Sequence, residues 1–258
     1  MTKKNTVAIV TGASQGIGRA TALRLARDFS VILLVARDKD KLEQTASDVR
    51  SAGAEAMIFD LDLREPQSAE TVVKSTLEHL GRIDALLNIA GAVPQIDLFE
   101  MADAQWDDGM ALKFHGARRL TLRAWDALKI SNGSVVFISG SAAFVPKPAF
   151  AAVGAINAAI NALAKAFAEQ GIKDGIQVNS LSPGAVMTGR RQAFFEKWAP
   201  AHNMTVEDAI KTFPQQAGIT RFGKPEDIAD LMSYLVSPAA RWMTGACVRM
   251  DGGEIKGI

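Results

Sequence analysis

Thr11-Gly12-Ala13-Ser14-Gln15-Gly16-Ile17-Gly18 follows the apolar run Val7-Ala8-Ile9-Val10 and leads into Ala22, Leu23, Leu25 and Ala26 at helical spacing. A strand, a glycine-rich turn and a helix in this order open a βαβ unit. Glycines in such a turn let the chain bend sharply and bring the backbone close to a pyrophosphate. The helix that follows offers unpaired N–H groups and the positive end of its dipole to the phosphates.

Outward from that turn the same rhythm continues. Short, mostly unbroken apolar runs lie at Val31 to Val35, Ala56 to Phe59, Ala85 to Leu87, Val135 to Ile138, Ile176 to Leu181 and Cys247 to Met250. Helical patterns such as Leu42, Ala46 and Val49 separate them. Unbroken runs suit strands buried on both faces, and the alternation predicts a doubly wound α/β fold, a parallel sheet with helices on both sides. No repeat or long linker divides residues 1–258, so one domain is expected. The stretch 189–223 breaks the rhythm, with Arg190, Arg191 and several aromatics after the sixth run. An insertion there is either a surface excursion or a substrate lid beside the ligand crevice, and we favour the lid.

The charged groups nearly cancel, 29 basic against 28 acidic, and are scattered rather than blocked, which argues against nucleic acid or an anionic membrane as partner. The apolar run after Met1-Thr2-Lys3-Lys4-Asn5 is too short for a leader or a membrane span, so a cytoplasmic location is expected. The lone cysteine, Cys247, excludes an internal disulfide and is expected to be a buried small apolar residue. No His, Cys or carboxylate cluster has metal-ligand spacing.

The motif Thr-Gly-x-x-x-Gly-Ile-Gly, carried here by Gly12, Ser14, Gln15, Gly16, Ile17 and Gly18, resembles the cofactor motif of short-chain dehydrogenases/reductases. The resemblance runs through nearly the whole chain. Asp62-Leu63 is similar to that family's adenine contact, and Asn88-Ile89-Ala90-Gly91 to its Asn-Asn-Ala-Gly motif, with Ile89 replacing an asparagine. Pro183-Gly184-Ala185-Val186-Met187-Thr188 resembles the segment that holds the nicotinamide carboxamide. Arg221 to Asp227 and Thr244 to Gly253 resemble its C-terminal signatures. The resemblance implies a Rossmann-type domain with a seven-stranded parallel sheet, and a dinucleotide along the carboxyl ends of the strands. It also implies a homotetramer or homodimer, paired through helices such as the alanine-rich stretch from Ala149 to Ala168.

Which dinucleotide binds depends on the end of the second run, Val35-Ala36-Arg37-Asp38. An acidic residue in place of Ala36 would bind a ribose 2′-hydroxyl and repel a 2′-phosphate. Arg37 instead suits a phosphate, and Ser14 adds a hydroxyl, whereas Gln15 takes a place often basic in NADP-preferring relatives. NADP is expected ahead of NAD.

In the family, proton chemistry belongs to a Tyr and to a Lys four residues later on the same helix face, where the ammonium lowers the phenol pKa. The matching stretch reads Phe150 to Ala159, with Val153 in the Tyr place and Asn157 in the Lys place. No shift of register helps, because the one tyrosine, Tyr234, lies in the amphipathic helix after Pro225, where packing is expected. The family's Ser falls on Gly140, flanked by Ser139 and Ser141; either hydroxyl points inward, or both bond locally at the strand end. Counted from Trp106, the family's Asn falls on Lys113. Two readings follow: the ammonium has moved from 157 to 113, with Asn157 now answering it, or both changes mark a site out of use. His115, two residues on, is expected to face away from Lys113.

The chain is therefore expected to be an NADP-preferring oxidoreductase acting on a carbonyl or alcohol by an altered proton path. The alternative is a catalytically silent NADP(H)-binding protein acting as sensor or partner subunit.

Overall fold

Seven strands form the frame of the computed structural model, which describes residues 5–257. They are β1 (Val7–Thr11), β2 (Val31–Ala36), β3 (Glu55–Asp60), β4 (Ala85–Asn88), β5 (Ser134–Ile138), β6 (Gln177–Pro183) and β7 (Cys247–Met250). All pair in parallel, in the order β3-β2-β1-β4-β5-β6-β7. The helices are α1 (Gly16–Leu25), α2 (Lys39–Ser51), α3 (Pro66–Leu80), α4 (Asp103–Gly109), α5 (Ala117–Ser131), α6 (Ala151–Asp174), α7 (Gly189–Ala201), α8 (Val206–Ala217) and α9 (Pro225–Leu235). A π-helical segment, Met110–Gly116, joins α4 to α5. This is the doubly wound Rossmann architecture expected, with each predicted run on a strand.

Successive side chains of a strand point to opposite faces, so one apolar run feeds two cores. Ala8 and Val10 pack with Ala22, Leu25, Leu42, Ala46 and Met232, contributed by α1, α2 and α9. Val7 and Ile9 pack with Val72, Leu120, Ala124, Ile160 and Ala164, contributed by α3, α5 and α6. The direction of winding reverses between β1 and β4, and a crevice opens at the carboxyl ends of the strands there.

By length and composition α6 would pass for a membrane span. It is a core helix, burying Ala152, Ile156, Ile160, Ala164 and Ala168.

Two sequence expectations are corrected. Cys247 is exposed rather than buried: it opens the edge strand β7, where only β6 covers it, and its Sγ lies 3.4 Å from Ser182 Oγ. Tyr234 is 43% exposed rather than packed, because the buried stripe of α9 runs through Ile228, Ala229, Met232 and Leu235 and leaves it on the rim.

Candidate active site

One cavity of about 580 Å³ runs along the carboxyl ends of the strands, from Arg37 at its outer end to Lys113 and Asn157 at its inner end. The glycine turn forms its floor. Gly12 and Gly16 adopt φ of +66° and +56°, the left-handed region that glycine enters without cost. A Cβ at Gly12 would stand 3.1 Å from the backbone of Ala90, and one at Gly18 only 2.1 Å from the Gly12 carbonyl. The backbone is thus pressed together, and the freed space is left to the cavity. Gln15 caps α1 without a side-chain hydrogen bond, and no acid occupies the first turn, so the N–H groups and positive dipole end stay uncompensated. Glycine cradle and bare helix terminus fit a dinucleotide's pyrophosphate.

Thr11, which sequence reasoning passed over as a site residue, holds this floor to the next strand. Its hydroxyl accepts from Ile89 N at 2.8 Å and Ala90 N at 2.9 Å, and donates to the Leu87 carbonyl at 3.3 Å. The partners lie nearly eighty residues away, so no local pattern announces the role.

At the outer end Arg37 lines the cavity, 61% exposed in its side chain, with Nη1 3.6 Å from Asp62 Oδ2. The neighbouring Asp38 carboxylate is consumed: it caps α2 through Lys41 N at 3.1 Å and pairs with Lys41 Nζ at 2.7 Å. Asp62-Leu63 is divided by the fold. Leu63 lines the cavity, while the Asp62 carboxylate accepts from Arg64 N at 3.0 Å and Arg64 Nη1 at 3.2 Å. Asn88 stays behind the wall, buried, donating to Thr121 Oγ1 at 3.0 Å and tying β4 to α5. Ala90, Gly91, Pro183, Gly184, Val186, Thr188 and the turn residues Ser14, Gln15, Gly16 and Ile17 all line the cavity. Thr188 also caps α7, accepting from Arg191 N at 3.3 Å.

The inner end brings together the two exchanged positions. Lys113 stands on the π-helical segment, a wide helical turn that recurs at functional sites. Its aliphatic stem lies across Gly91, where an added Cβ would be 3.1 Å from Cδ. The ammonium donates to Asn157 Oδ1 at 2.5 Å and to the Ser139 carbonyl at 3.2 Å. Burial, and secondarily the positive charge of Arg190, push its pKa down from 10.5 to about 7. Ser139 is buried and spends its hydroxyl on the Asn157 carbonyl at 2.9 Å, whereas Ser141 opens a short 3-10 turn and lines the cavity. Gly140 is held open by its neighbour: a Cβ there would stand 2.8 Å from Asn157 Nδ2. Asn157 therefore fills the space a serine at 140 would need.

Val153 does not line the cavity. It packs with Val93, Met101, Ala152, Ile156 and Trp106 in a small apolar cluster. His115 is also outside the cavity, edge-on to Phe114 at 5.2 Å.

The stretch 189–223 folds as α7 and α8 around a separate apolar cluster centred on Phe195, Ala199 and Ala209, with Phe213 and Phe222 packed against it. Arg190, Arg191 and Phe194 of α7 line the inner cavity. Arg190 donates to the main-chain carbonyls of Gly91 and Val93, anchoring α7 to the loop after β4.

Comparison with known proteins places this arrangement. A family model described as enoyl-(acyl carrier protein) reductase matches residues 12–254. A 3-oxoacyl-(acyl-carrier-protein) reductase of Staphylococcus aureus is 28% identical over 248 residues, covering 95% of this chain and 96% of that one. L-sorbose reductase from Gluconobacter frateurii, solved with NADPH and L-sorbose, superposes with a TM-score of 0.94 at 27% identity, covering 99% and 98% of the two chains. A variant of actinorhodin polyketide ketoreductase, solved with NADPH, gives 0.92 at 28% identity and 98% coverage of both.

Proposed function

Because this chain belongs to the short-chain dehydrogenase/reductase family, we propose that it is an NADP(H)-dependent oxidoreductase whose proton is carried by Lys113 rather than by a tyrosine. The observation that carries this reading is the Lys113 ammonium on Asn157 Oδ1 and the Ser139 carbonyl, in the same cavity as an intact pyrophosphate cradle.

When bound, the dinucleotide supplies or accepts the hydride at a substrate carbon. The protein's part is to hold the reactants and to handle one proton. The glycine turn and the α1 N-terminus take the pyrophosphate, Arg37 takes the 2′-phosphate, and the Pro183 to Thr188 segment takes the nicotinamide end. Asn157 and the Ser139 carbonyl fix the ammonium. Its remaining N–H is free to donate to a carbonyl oxygen as that oxygen gains charge, and Ser141, which lines the same cavity, offers a hydroxyl to share the hydrogen bond. Proton loss leaves a neutral amine that water reprotonates. The α7–α8 segment serves as lid, with Phe194 and the arginines facing the reactants. Bound NADPH in the structures of the Gluconobacter frateurii relative and of the ketoreductase supports the choice of cofactor.

Titration with NADPH and NADH followed by a turnover screen on ketones and aldehydes tests the reading. NADPH is expected to bind more tightly, and Lys113→Met is expected to keep NADPH binding while losing turnover. A second reading has its own support. Val153 is committed to the apolar cluster around Ile156, as suits a protein that binds NADPH without turning it over. Tight binding with no turnover on any carbonyl would establish that one.

A further inference from the structure

Three cations line the inner cavity, Lys113, Arg190 and Arg191, and among the described residues none of them makes an ion pair. The contrast with the rest of the surface is sharp: Arg19, Arg24, Arg64, Arg82 and Arg221 each hold an aspartate within 2.6 Å. Asp38, the one acid lining the cavity among the described residues, sits at the far end and is spent on Lys41.

Arg191 is the least satisfied of the three. Its guanidinium carbon lies 5.9 Å from the Phe194 ring centre and 5.6 Å from that of Phe213. No described hydrogen bond engages its guanidinium. Rings hold the plane of a guanidinium while its N–H fork stays free for a ligand. Glu254 is close enough to act on it electrostatically, but the Glu254 Oε2 atom accepts from Ala185 N at 3.0 Å. Burial lowers the pKa of Arg191 and the Glu254 charge offsets that only in part, so the site bears a cost that a directly bound anion would relieve. The cofactor's phosphates already have their own cradle at the glycine turn and Arg37, and Phe213 belongs to α8, outside that cradle. Arg190 bridges the two centres: it neighbours Arg191 in sequence and acts on Lys113 through its charge.

We propose that Arg191, with Arg190 beside it, forms an anion subsite that takes the carboxylate of an oxo-acid or hydroxy-acid substrate. The carbonyl or hydroxyl of that substrate is then directed toward Lys113. The proposal rests on the oxidoreductase reading for its chemistry, but not for its binding. A bidentate guanidinium–carboxylate pair supplies both the affinity and the orientation.

Calorimetric titration of the NADP⁺-loaded protein reads binding without turnover. The probes are 2-oxopentanoate and 4-oxopentanoate, set against 2-pentanone and against the methyl ester of 4-oxopentanoate. At least one acid is expected to bind about tenfold or more tightly than the neutral compounds, the scale of a charge-assisted pair. Arg191→Leu is expected to abolish that preference while NADPH affinity stays within about twofold. Equal binding of acids and neutral compounds to the unaltered protein would overturn the proposal without recourse to any variant. So would an Arg191→Leu protein that loses NADPH affinity along with the acid, because the guanidinium would then belong to the cofactor. Acid-selective binding, with none of these acids reduced when NADPH replaces NADP⁺, would uphold the subsite and count against the oxidoreductase reading.

Discussion

At the scale of single residues, the proposed proton path turns on the Lys113–Asn157 contact. An ammonium with pKa near 7 titrates in the working range of an enzyme, unlike an ordinary lysine. On the proposed path the charged form donates the proton in reduction, so kcat/KM is expected to be level below about pH 7 and to fall above it. In oxidation the neutral amine accepts, and the profile is expected to rise through the same region. Lys113→Met should erase both inflections and lower the rate by about 10²–10⁴-fold, the usual contribution of a placed acid. The same shift has a sign in stability. Folding lowers this pKa, so the unfolded chain binds the proton more tightly; the cost is full below about pH 7 and fades as pH rises toward 10.5. Lys113→Met should therefore raise Tm relative to the parent more at pH 6 than at pH 10, as thermal melts at the two values would show. Because Nζ and Oδ1 are 2.5 Å apart, Asn157→Lys alone would set two ammonium groups in contact. It is expected to lower Tm, and adding Lys113→Asn should recover the loss, giving a clear coupling in a double-mutant cycle. At the other end of the cavity Arg37→Leu should weaken NADPH by about 10–100-fold and leave NADH unchanged, the worth of one charge-assisted contact.

At the scale of elements, the proposed lid packs around an apolar cluster separate from those on the sheet. The α7–α8 pair buries its own cluster around Phe195, which touches the rings of Phe194, Phe213 and Phe222 at centroid distances of 5.4–5.9 Å. It is joined to the body by few hydrogen bonds, Arg190 on the β4 loop among them. Phe195→Ala should cost this unit about 3–5 kcal/mol. Amide exchange is expected to quicken across 189–217 while β1, β4 and β5 keep their protection, and substrate KM is expected to rise with NADPH affinity held. The π-helical segment has no signature in the sequence. Met110 to His115 carries no Gly or Pro and reads as ordinary helix. The wide turn shows only once α4, α5 and the loop at Gly91 are packed together.

At the scale of the whole molecule, the covered and uncovered surfaces differ. Trp242 is 99% exposed, Ile130 85% and Ile172 62%, and β7 leaves an open edge. Apolar side chains and an unpaired edge invite a symmetric partner. We expect light scattering to give two or four times 27.6 kDa, and Trp242→Ser to shift the distribution toward smaller species. The sequence by itself determined the parallel sheet, the two-faced helix packing and the phosphate turn, because each is written in local periods and in glycines that no other residue can replace. Only the tertiary structure decided what the inner end of the cavity became. Lys113, Ser139, Asn157 and Arg190 come from four separate segments; burial sets the ammonium's pKa, and packing leaves Lys113, Arg190 and Arg191 without an ion pair among the described residues. Distance in space and desolvation are properties of the packed chain, and no spacing along the sequence encodes them.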